Sequence, residues 1–267
     1  MNKVKQLIYK YDFNIKKSLG QNFLVDNNLI KKLISLMDLN NNNNIIELGT
    51  GFGSITYPIA EIVNKVITFE IDKHIYEILV KENDSNNITF INKDILEIDF
   101  NEIKNLDNLV IVGNLPYYIS SEILKKLILD DVDVNIYLML QKEVVLKLLE
   151  NNYNANYKAI SVLIQSLFDC KVLLDVSPAC FFPKPNVDSS FVRLYRKNIK
   201  INRKEYLNFI KIIFENRRKT LNNNLKKYYD KDKIDKIYYD LGLSCYIRVE
   251  QLDVKTIIKI YEVLNED

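Results

Sequence analysis

Apolar residues follow two different periods along this 267-residue chain. As far as about residue 150, short β-branched runs with the character of buried strands alternate with stretches of helical spacing. The predicted strands are 45–48, 65–71, 88–92, 109–113 and 134–140, and the predicted helices lie near 54–63, 73–83, 120–129 and 142–150. This alternation predicts an α/β fold, with a parallel sheet covered by helices on both faces.

The pattern changes towards the carboxyl end. Two apolar runs, 170–176 and 190–195, flank a proline-rich loop and predict an antiparallel pair that closes the sheet. After about residue 197 the strand-like runs stop, and helical spacing continues through 203–227, 231–241 and 253–265. We therefore predict two domains, an α/β domain over 1–197 and a small all-helical domain over 198–267.

Composition narrows the class of protein. Hydrophobic residues make up 48% of the chain and charged residues 27%, as in ordinary globular proteins. No apolar run approaches the ~18 residues that would span a membrane, and the amino end has no targeting pattern. We therefore expect a cytoplasmic protein with no membrane partner. Three cysteines without paired spacing and a single histidine predict neither disulfides nor a metal site.

The net charge of +2 conceals an uneven distribution. Residues 193–229 hold twelve Lys or Arg against two acids, and residues 1–20 hold five Lys against one acid, so the rest of the chain is acidic. Such concentration of positive charge favours a polyanionic partner.

A glycine-rich turn gives the first chemical signal. In IIELGTGFGSIT (45–56), a strand runs into three glycines and then into a helix, so the backbone can approach a ligand closely. Ser54 stands where the dinucleotide-binding pattern needs its third glycine. Glu70 and Asp94 end the next two strands, where they could bind a ribose and an exocyclic amine, although either could instead cap a helix. A nucleoside-shaped ligand is indicated, and S-adenosylmethionine and NAD both fit.

The end of the fourth strand, VGNLPYYIS (112–120), favours methyl transfer. An adenine amine is a weak nucleophile because its lone pair is delocalised. The Asn114 side-chain oxygen and a carbonyl held outward by Pro116 could bind the amine hydrogens, while Tyr117 could face the charge that develops on nitrogen. Hydride transfer would need an acid or base such as histidine, and His74 lies on the wrong element.

Six segments carry a family resemblance: KKSLGQNFLVD (16–26), ELGTGFG (47–53), GNLPYYIS (113–120), LQKEVV (140–145), FFPKPNVDSSFVRL (181–194) and FENRRKTLNNNL (214–225). In this order they resemble the small-subunit ribosomal RNA adenine N6,N6-dimethyltransferase family, of the KsgA or RsmA type. The resemblance implies a class I, Rossmann-like, S-adenosylmethionine-dependent methyltransferase domain followed by a helical RNA-binding domain. It also implies transfer of four methyl groups to two adjacent adenosines in the hairpin near the 3′ end of small-subunit rRNA.

The resemblance assigns roles by position. Asn22 and Leu24 would close over the cofactor, Gly49 would pack against its methionine portion, and Gly51 belongs to the same turn. Glu70 would hold the ribose and Asp94 the adenine amine. The expected catalytic residues are Asn114, Pro116, Tyr117 and Phe181, with Phe181 stacking on the target base from a distant loop.

The resemblance also implies that the two basic segments, 1–20 and 193–229, bind RNA. Lys16 and Lys17 flank the closing segment, and Arg217, Arg218 and Lys219 are expected in one helical turn facing phosphates. The implied partner is small-subunit rRNA within an immature subunit, bound by a monomer, and S-adenosyl-L-homocysteine is the implied product.

Three positions depart from the family pattern. Tyr118 follows NLPY where Asn is frequent, Lys158 replaces a glycine, and Thr50 replaces a proline. None removes a group that methyl transfer requires. Three alternatives remain: a large-subunit rRNA methyltransferase of the macrolide-resistance type, a non-catalytic RNA-binding assembly factor, and a DNA adenine methyltransferase.

Overall fold

A computed structural model describes residues 2–103, 106–130 and 134–265, except the side chains of Lys17, Asn101, Glu102 and Tyr117. Its strands are β1 Phe23–Leu24, β2 Asn44–Leu48, β3 Lys65–Glu70, β4 Ile88–Asn92, β5 Leu109–Asn114, β6 Asn135–Gln141, β7 Phe168–Val176, β8 Phe181–Phe182 and β9 Ser189–Arg196. The five predicted parallel strands are therefore confirmed as β2 to β6, with bounds that differ by one residue at most.

The main sheet has the strand order β4-β3-β2-β5-β6-β9-β7. Strands β2 to β6 pair in parallel, and β9 runs antiparallel to β6. The chain builds outward from β2 through β3 to β4, and then returns to the other side of β2 with β5. The crevice outside the carboxyl ends of β2 and β5 is thus a topological switch point, where open α/β sheets bind ligands.

Helices cover the connections between strands and make up the carboxyl-terminal part. They are α1 Lys3–Lys10, α2 Asn27–Ser35, α3 Thr56–Ala60, α4 Lys73–Lys81, α5 Phe100–Ile103, α6 Ser120–Leu129, α7 Lys142–Leu148, α8 Ala159–Leu167, α9 Arg203–Phe214, α10 Leu221–Leu225, α11 Lys231–Asp240 and α12 Val254–Asn265. Among the described residues, no helix is long and apolar enough to cross a membrane.

The segment 203–227, whose apolar residues have helical spacing, forms two helices and not one. Helix α9 ends at Phe214, and α10 begins only at Leu221. The Thr220 side chain accepts from the Asn223 amide and caps α10, while the buried Asn224 donates its Nδ2 to the carbonyls of Ile213 and Asn216. These polar contacts stabilise a turn at 215–220 that the apolar spacing does not indicate.

The chain forms two compact units. One comprises residues 1–142 and 171–196, and the other comprises 143–170 and 197–267. The last of the three crossings between the units lies at 196/197, next to the predicted boundary after residue 197. However, 143–170 groups with the carboxyl-terminal helices instead of the α/β part, because α8 packs on α9 and α12. We call the two parts the sheet unit and the helical unit.

Each unit has its own apolar interior. In the sheet unit, Ile45, Val110 and Tyr137 join the apolar face of α2 in one core cluster. In the helical unit, Tyr206 on α9 is fully buried, its hydroxyl lies 2.7 Å from the Ser166 hydroxyl, and its ring centroid lies 5.0 Å from that of Tyr261. These interiors fix the positions of the polar groups described below.

Candidate active site

A cavity of about 270 Å³ lies in the sheet unit at the switch point. Its lining includes the carboxyl ends of β2, β3 and β5 and the segment that precedes β1. Seven residues predicted for the site line this cavity: Asn22, Gly49, Gly51, Glu70, Asp94, Asn114 and Pro116. Parallel pairing explains their convergence, because the carboxyl ends of neighbouring parallel strands meet at one edge of a sheet.

Glu70, the last residue of β3, is held by backbone donors. Its Oε2 accepts from the Gly51 amide and its Oε1 from the Asp72 amide, both at 2.8 Å. Burial raises the pKa of Glu70 to about 7, although these two hydrogen bonds oppose the shift. The carboxylate is therefore fixed in orientation, and its remaining lone pairs can accept from ligand hydroxyls.

The glycine turn after β2 needs left-handed backbone conformations. Gly49 has φ +84° and Gly51 φ +52°, a region that favours glycine. The amides of Gly49 and Thr50 both donate to the Phe69 carbonyl at 3.1 Å. These bonds tie the turn to β3 and direct the Gly51 amide onto Glu70, so the cavity wall here consists of backbone.

Asn114 ends β5 with a defined side-chain orientation. Its Nδ2 donates to the Asn22 carbonyl at 3.1 Å, so the Oδ1 is the side-chain atom left to accept from a ligand. The Pro116 carbonyl accepts from the Ile119 amide and the Ser120 hydroxyl, each at 3.3 Å. Because that carbonyl is engaged within the turn, Pro116 shapes the cavity through its ring and fixed φ.

Asp94 and Tyr118 lie at the mouth of the cavity. Asp94 caps the short turn after β4 by accepting from the Leu96 amide at 2.9 Å, so the capping role considered from the sequence is present, and the residue also lines the cavity. Tyr118 is more than half exposed, and burial, then the nearby Asp94, raises its pKa. A Cβ at Gly20 would lie 3.2 Å from the Tyr118 ring, so this residue packs against the segment before β1.

Sequence reasoning missed a second buried carboxylate, Glu47 in β2. Its Oε2 accepts from the hydroxyls of Thr56 and Thr68 at 2.6 and 2.7 Å, and it lines the cavity. Burial raises the pKa of Glu47 to about 7. An acid inside an apolar strand was the available signal. Among the described residues, no group of three or more His, Cys, Asp or Glu could hold a metal ion.

The segment before β1 is anchored through Asp72. This buried carboxylate accepts from Lys16 Nζ at 2.9 Å and from Gln21 Nε2 at 2.8 Å. Burial acts to raise the pKa of Asp72, but the hydrogen bonds from Lys16 and Gln21 outweigh it, and the pKa is lowered. Lys16, predicted to bind RNA, is therefore engaged in holding the cavity wall, which its position in the sequence does not reveal.

Two predicted site residues, Leu24 and Phe181, do not line the cavity. Leu24 is fully buried and Phe181 is only 3% exposed, and both belong to the apolar core where β1 pairs with β8. For Phe181, the structure thus gives a core position instead of an open base-stacking face. The side chains of Tyr117 and Lys17 lie outside the described part of the structure, so their roles stay predictions.

The basic triplet of the helical unit lies in the turn at 215–220, which corrects its expected place in a helix. Arg217 donates to the Ala155 carbonyl at 3.4 Å, and its Nη2 lies 3.4 Å from Glu250 Oε2. Arg218 and Lys219 are exposed. Arg217 therefore stabilises the helical unit through internal contacts, whereas Arg218 and Lys219 face solvent.

A parallel sheet with a glycine turn after β2, a carboxylate at the end of β3 and Asn114 at the end of β5 defines a class I methyltransferase. The family model for ribosomal RNA adenine dimethylase matches residues 12–266. The chain belongs to that family.

Individual relatives agree with this placement. The chain is 40% identical to the ribosomal RNA small subunit methyltransferase A of Mycoplasmopsis pulmonis over 226 residues, 84% of this chain and 88% of the relative. A dimethyladenosine transferase from Plasmodium falciparum has a TM-score of 0.77 at 24% identity, covering 89% of this chain and 95% of its own. The 23S rRNA methyltransferase ErmE has a TM-score of 0.68 at 21% identity, covering 91% and 100%. These two structures share the fold.

Proposed function

We propose that this protein transfers methyl groups from S-adenosylmethionine to N6 of two adjacent adenosines in the 3′-terminal hairpin of small-subunit rRNA, within an immature subunit in the cytoplasm, and that it acts as a monomer. The observation that carries the proposal is the oriented Asn114 side chain in the same cavity as Glu70 and Asp94. Relatives named small subunit methyltransferase A favour this substrate over large-subunit rRNA.

The cavity residues fit the cofactor chemically. Glu70 has acceptor capacity for ribose hydroxyls, and Asp94 for an adenine amine. A Cβ at Gly49 would meet the Asn114 carbonyl at an ordinary contact distance of 3.6 Å, so the φ of +84° and not a lack of space calls for glycine beside the end of β5. When bound, S-adenosylmethionine supplies a methyl group on a positively charged sulfur.

The acceptor side of the site prepares the target amine. Asn114 Oδ1 accepts one N–H, and because the Pro116 carbonyl is engaged, the carbonyl before the proline ring, that of Leu115, is the partner that we assign to the second N–H. This grip directs the nitrogen lone pair at the methyl carbon and offsets the positive charge that develops on nitrogen. The proton then leaves to solvent, so no strong base is required.

One competition experiment tests the proposal. Immature small subunits, large-subunit rRNA and DNA are incubated together with the protein and S-adenosylmethionine labelled in its methyl group. We expect label in N6,N6-dimethyladenosine at two adjacent positions of small-subunit rRNA. Label in the large-subunit RNA would support the macrolide-resistance type instead, and RNA binding without any label would support a non-catalytic assembly factor.

A further inference from the structure

A second cavity, also of about 270 Å³, opens within the helical unit and is separate in its lining from the methyl-transfer cavity. It is lined by Asn151, Asn152, Tyr157, Gln165, Asp253, Val254 and Lys255. Tyr157 is fully buried, whereas Asn151, Asp253 and Lys255 are exposed. The cavity thus has a buried phenol at its floor and polar groups at its rim.

The Tyr157 hydroxyl has no hydrogen-bond partner among the described residues. The ring is fixed by edge packing on Phe214, with the centroids 6.2 Å apart. Burial raises the pKa of Tyr157, so the hydroxyl stays protonated and can donate a hydrogen bond. A buried polar group without a partner is rare and calls for a ligand or water to satisfy it.

The other polar side chains that line the cavity present acceptors. Gln165 uses its Nε2 on the carbonyls of Leu148 and Glu150, at 2.9 and 2.7 Å, so its oxygen is what remains for a ligand. Asn152 likewise donates to the Gln251 carbonyl at 3.0 Å. Hydrogen bonds lower the pKa of Asp253, which stays a carboxylate. Apart from Lys255 at the rim, the side-chain groups left for a ligand are therefore one donor, the Tyr157 hydroxyl, and several acceptors.

We propose that this cavity binds an unpaired adenine or cytosine of the RNA substrate. Each of these bases carries an exocyclic amine beside a bare ring nitrogen, which suits acceptors flanking the Tyr157 donor. Uracil presents carbonyl oxygens on both sides of its N–H. These oxygens would repel the acceptors of the cavity and form no hydrogen bond with them. The identity of the ligand as RNA rests on the proposed function, whereas the preference for an amino-bearing base rests on the cavity alone.

The surroundings suit single-stranded RNA. Tyr153, which follows Asn152, is 72% exposed, and its amide is held by the Glu250 carbonyl at 2.7 Å. An exposed ring on a fixed backbone can stack on a base, and Lys255 at the rim can contact a phosphate. Stacking, base contacts and phosphate contacts are the three components of single-strand binding.

The test uses the full chain, saturated with S-adenosylhomocysteine so that nucleotides do not enter the first cavity. Amide resonances are followed by NMR while AMP, CMP, UMP or inorganic phosphate is added to about 10 mM, a range suited to millimolar affinity. We expect AMP or CMP to shift amides of 151–157 and 253–256, with UMP at least about fivefold weaker, in keeping with the cost of unmatched polar groups.

Tyr157→Phe removes the donor and keeps the ring. It should weaken AMP or CMP binding about tenfold without lowering the melting temperature, since the lost hydroxyl was unpaired. Tyr57→Phe is the matched control, because the Tyr57 hydroxyl is also buried without a partner among the described residues and Tyr57 does not line this cavity. No change in affinity on Tyr157→Phe would overturn the proposal.

Three other results would also overturn it: no shifts in these segments with any nucleotide, equal binding of UMP, or the same shifts with phosphate alone. Absence of rRNA methylation is a separate readout. It would contradict the proposed function and leave a measured base preference of this cavity standing.

Discussion

The two compact units hold their charged side chains in contrasting ways. In the sheet unit, Glu47 and Glu70 are buried, and fixed hydroxyl or amide donors hold their oxygens. In the helical unit, Arg218 and Lys219 are exposed on a turn, while Arg217 is paired with Glu250. The carboxylates with a fixed orientation thus lie near the carboxyl ends of parallel strands, whereas the solvent-exposed cations lie on a turn.

The two units therefore differ in how well the sequence predicts the position of a functional side chain. A motif at a strand end predicts position, because strand pairing carries each end to the same edge. The number of basic residues in a segment does not predict which of them are exposed, because each cation can either pair with groups of its own unit or face solvent.

Loss of the Asn114 acceptor should have the largest effect. Asn114→Ala removes one oriented hydrogen-bond acceptor for the transition state, so methyl transfer should fall by about 100-fold or more, while RNA binding is retained. Single-turnover kinetics and a filter-binding assay measure the two properties. Asn43→Ala, the same change near the opposite edge of the sheet, should leave the rate unaltered, and a wild-type rate in Asn114→Ala would refute the orienting role.

The buried carboxylates should make stability depend on pH. The pKa values of Glu47 and Glu70 are each raised from 4.5 to about 7, so the folded protein holds these protons more tightly than the unfolded chain. Their contribution is full below about pH 4.5 and is lost as the pH rises to about 7, by roughly 3 kcal/mol for each group. Urea unfolding of the cofactor-free protein between these pH values measures it.

Glu47→Gln should flatten that pH dependence, because the amide oxygen still accepts a hydrogen bond and carries no charge. Glu143→Gln alters an exposed carboxylate on α7 and serves as the control. An unchanged slope in Glu47→Gln would show that this carboxylate does not titrate in the range.

The turn at 215–220 should depend on Asn224. Asn224→Ala removes a fully buried amide that binds two carbonyls, so the free energy of unfolding should fall by about 2 kcal/mol. Asn222→Ala, at an exposed position in the same helix, is the control for helix propensity. Equal stability of the two variants would mean that the turn does not need this contact.

The smallest effect is expected from the exposed cations. Reversing Arg218 and Lys219 to Glu should weaken rRNA binding about tenfold and reduce the slope of log affinity against log salt by about 2, because each phosphate contact contributes roughly one unit. Lys65→Glu, at the amino end of β3, controls for a charge reversal made outside the turn. The same slope in the double variant and the wild type would exclude these two residues as phosphate contacts.

Much of the sheet unit was predictable for a local reason. Buried parallel strands are short, continuous apolar runs, and residues such as Glu70 and Asn114 follow them directly, so their meeting at one edge needed only the pairing rule. The break at 215–220 was not predictable, since Leu221 and Leu225 continue the apolar spacing of α9. The contacts of Asn224 decide the break, and they join residues eight and eleven positions apart.

The sequence by itself determined the family, the fold class and seven of the residues that line the cavity at the switch point, because those are properties of ordered motifs and strand ends. Only the tertiary structure decided that Phe181 and Leu24 lie in the core, that Lys16 holds Asp72, and that Arg217 pairs with Glu250. Burial and pairing depend on neighbours distant in the chain. A residue type and its spacing cannot specify them.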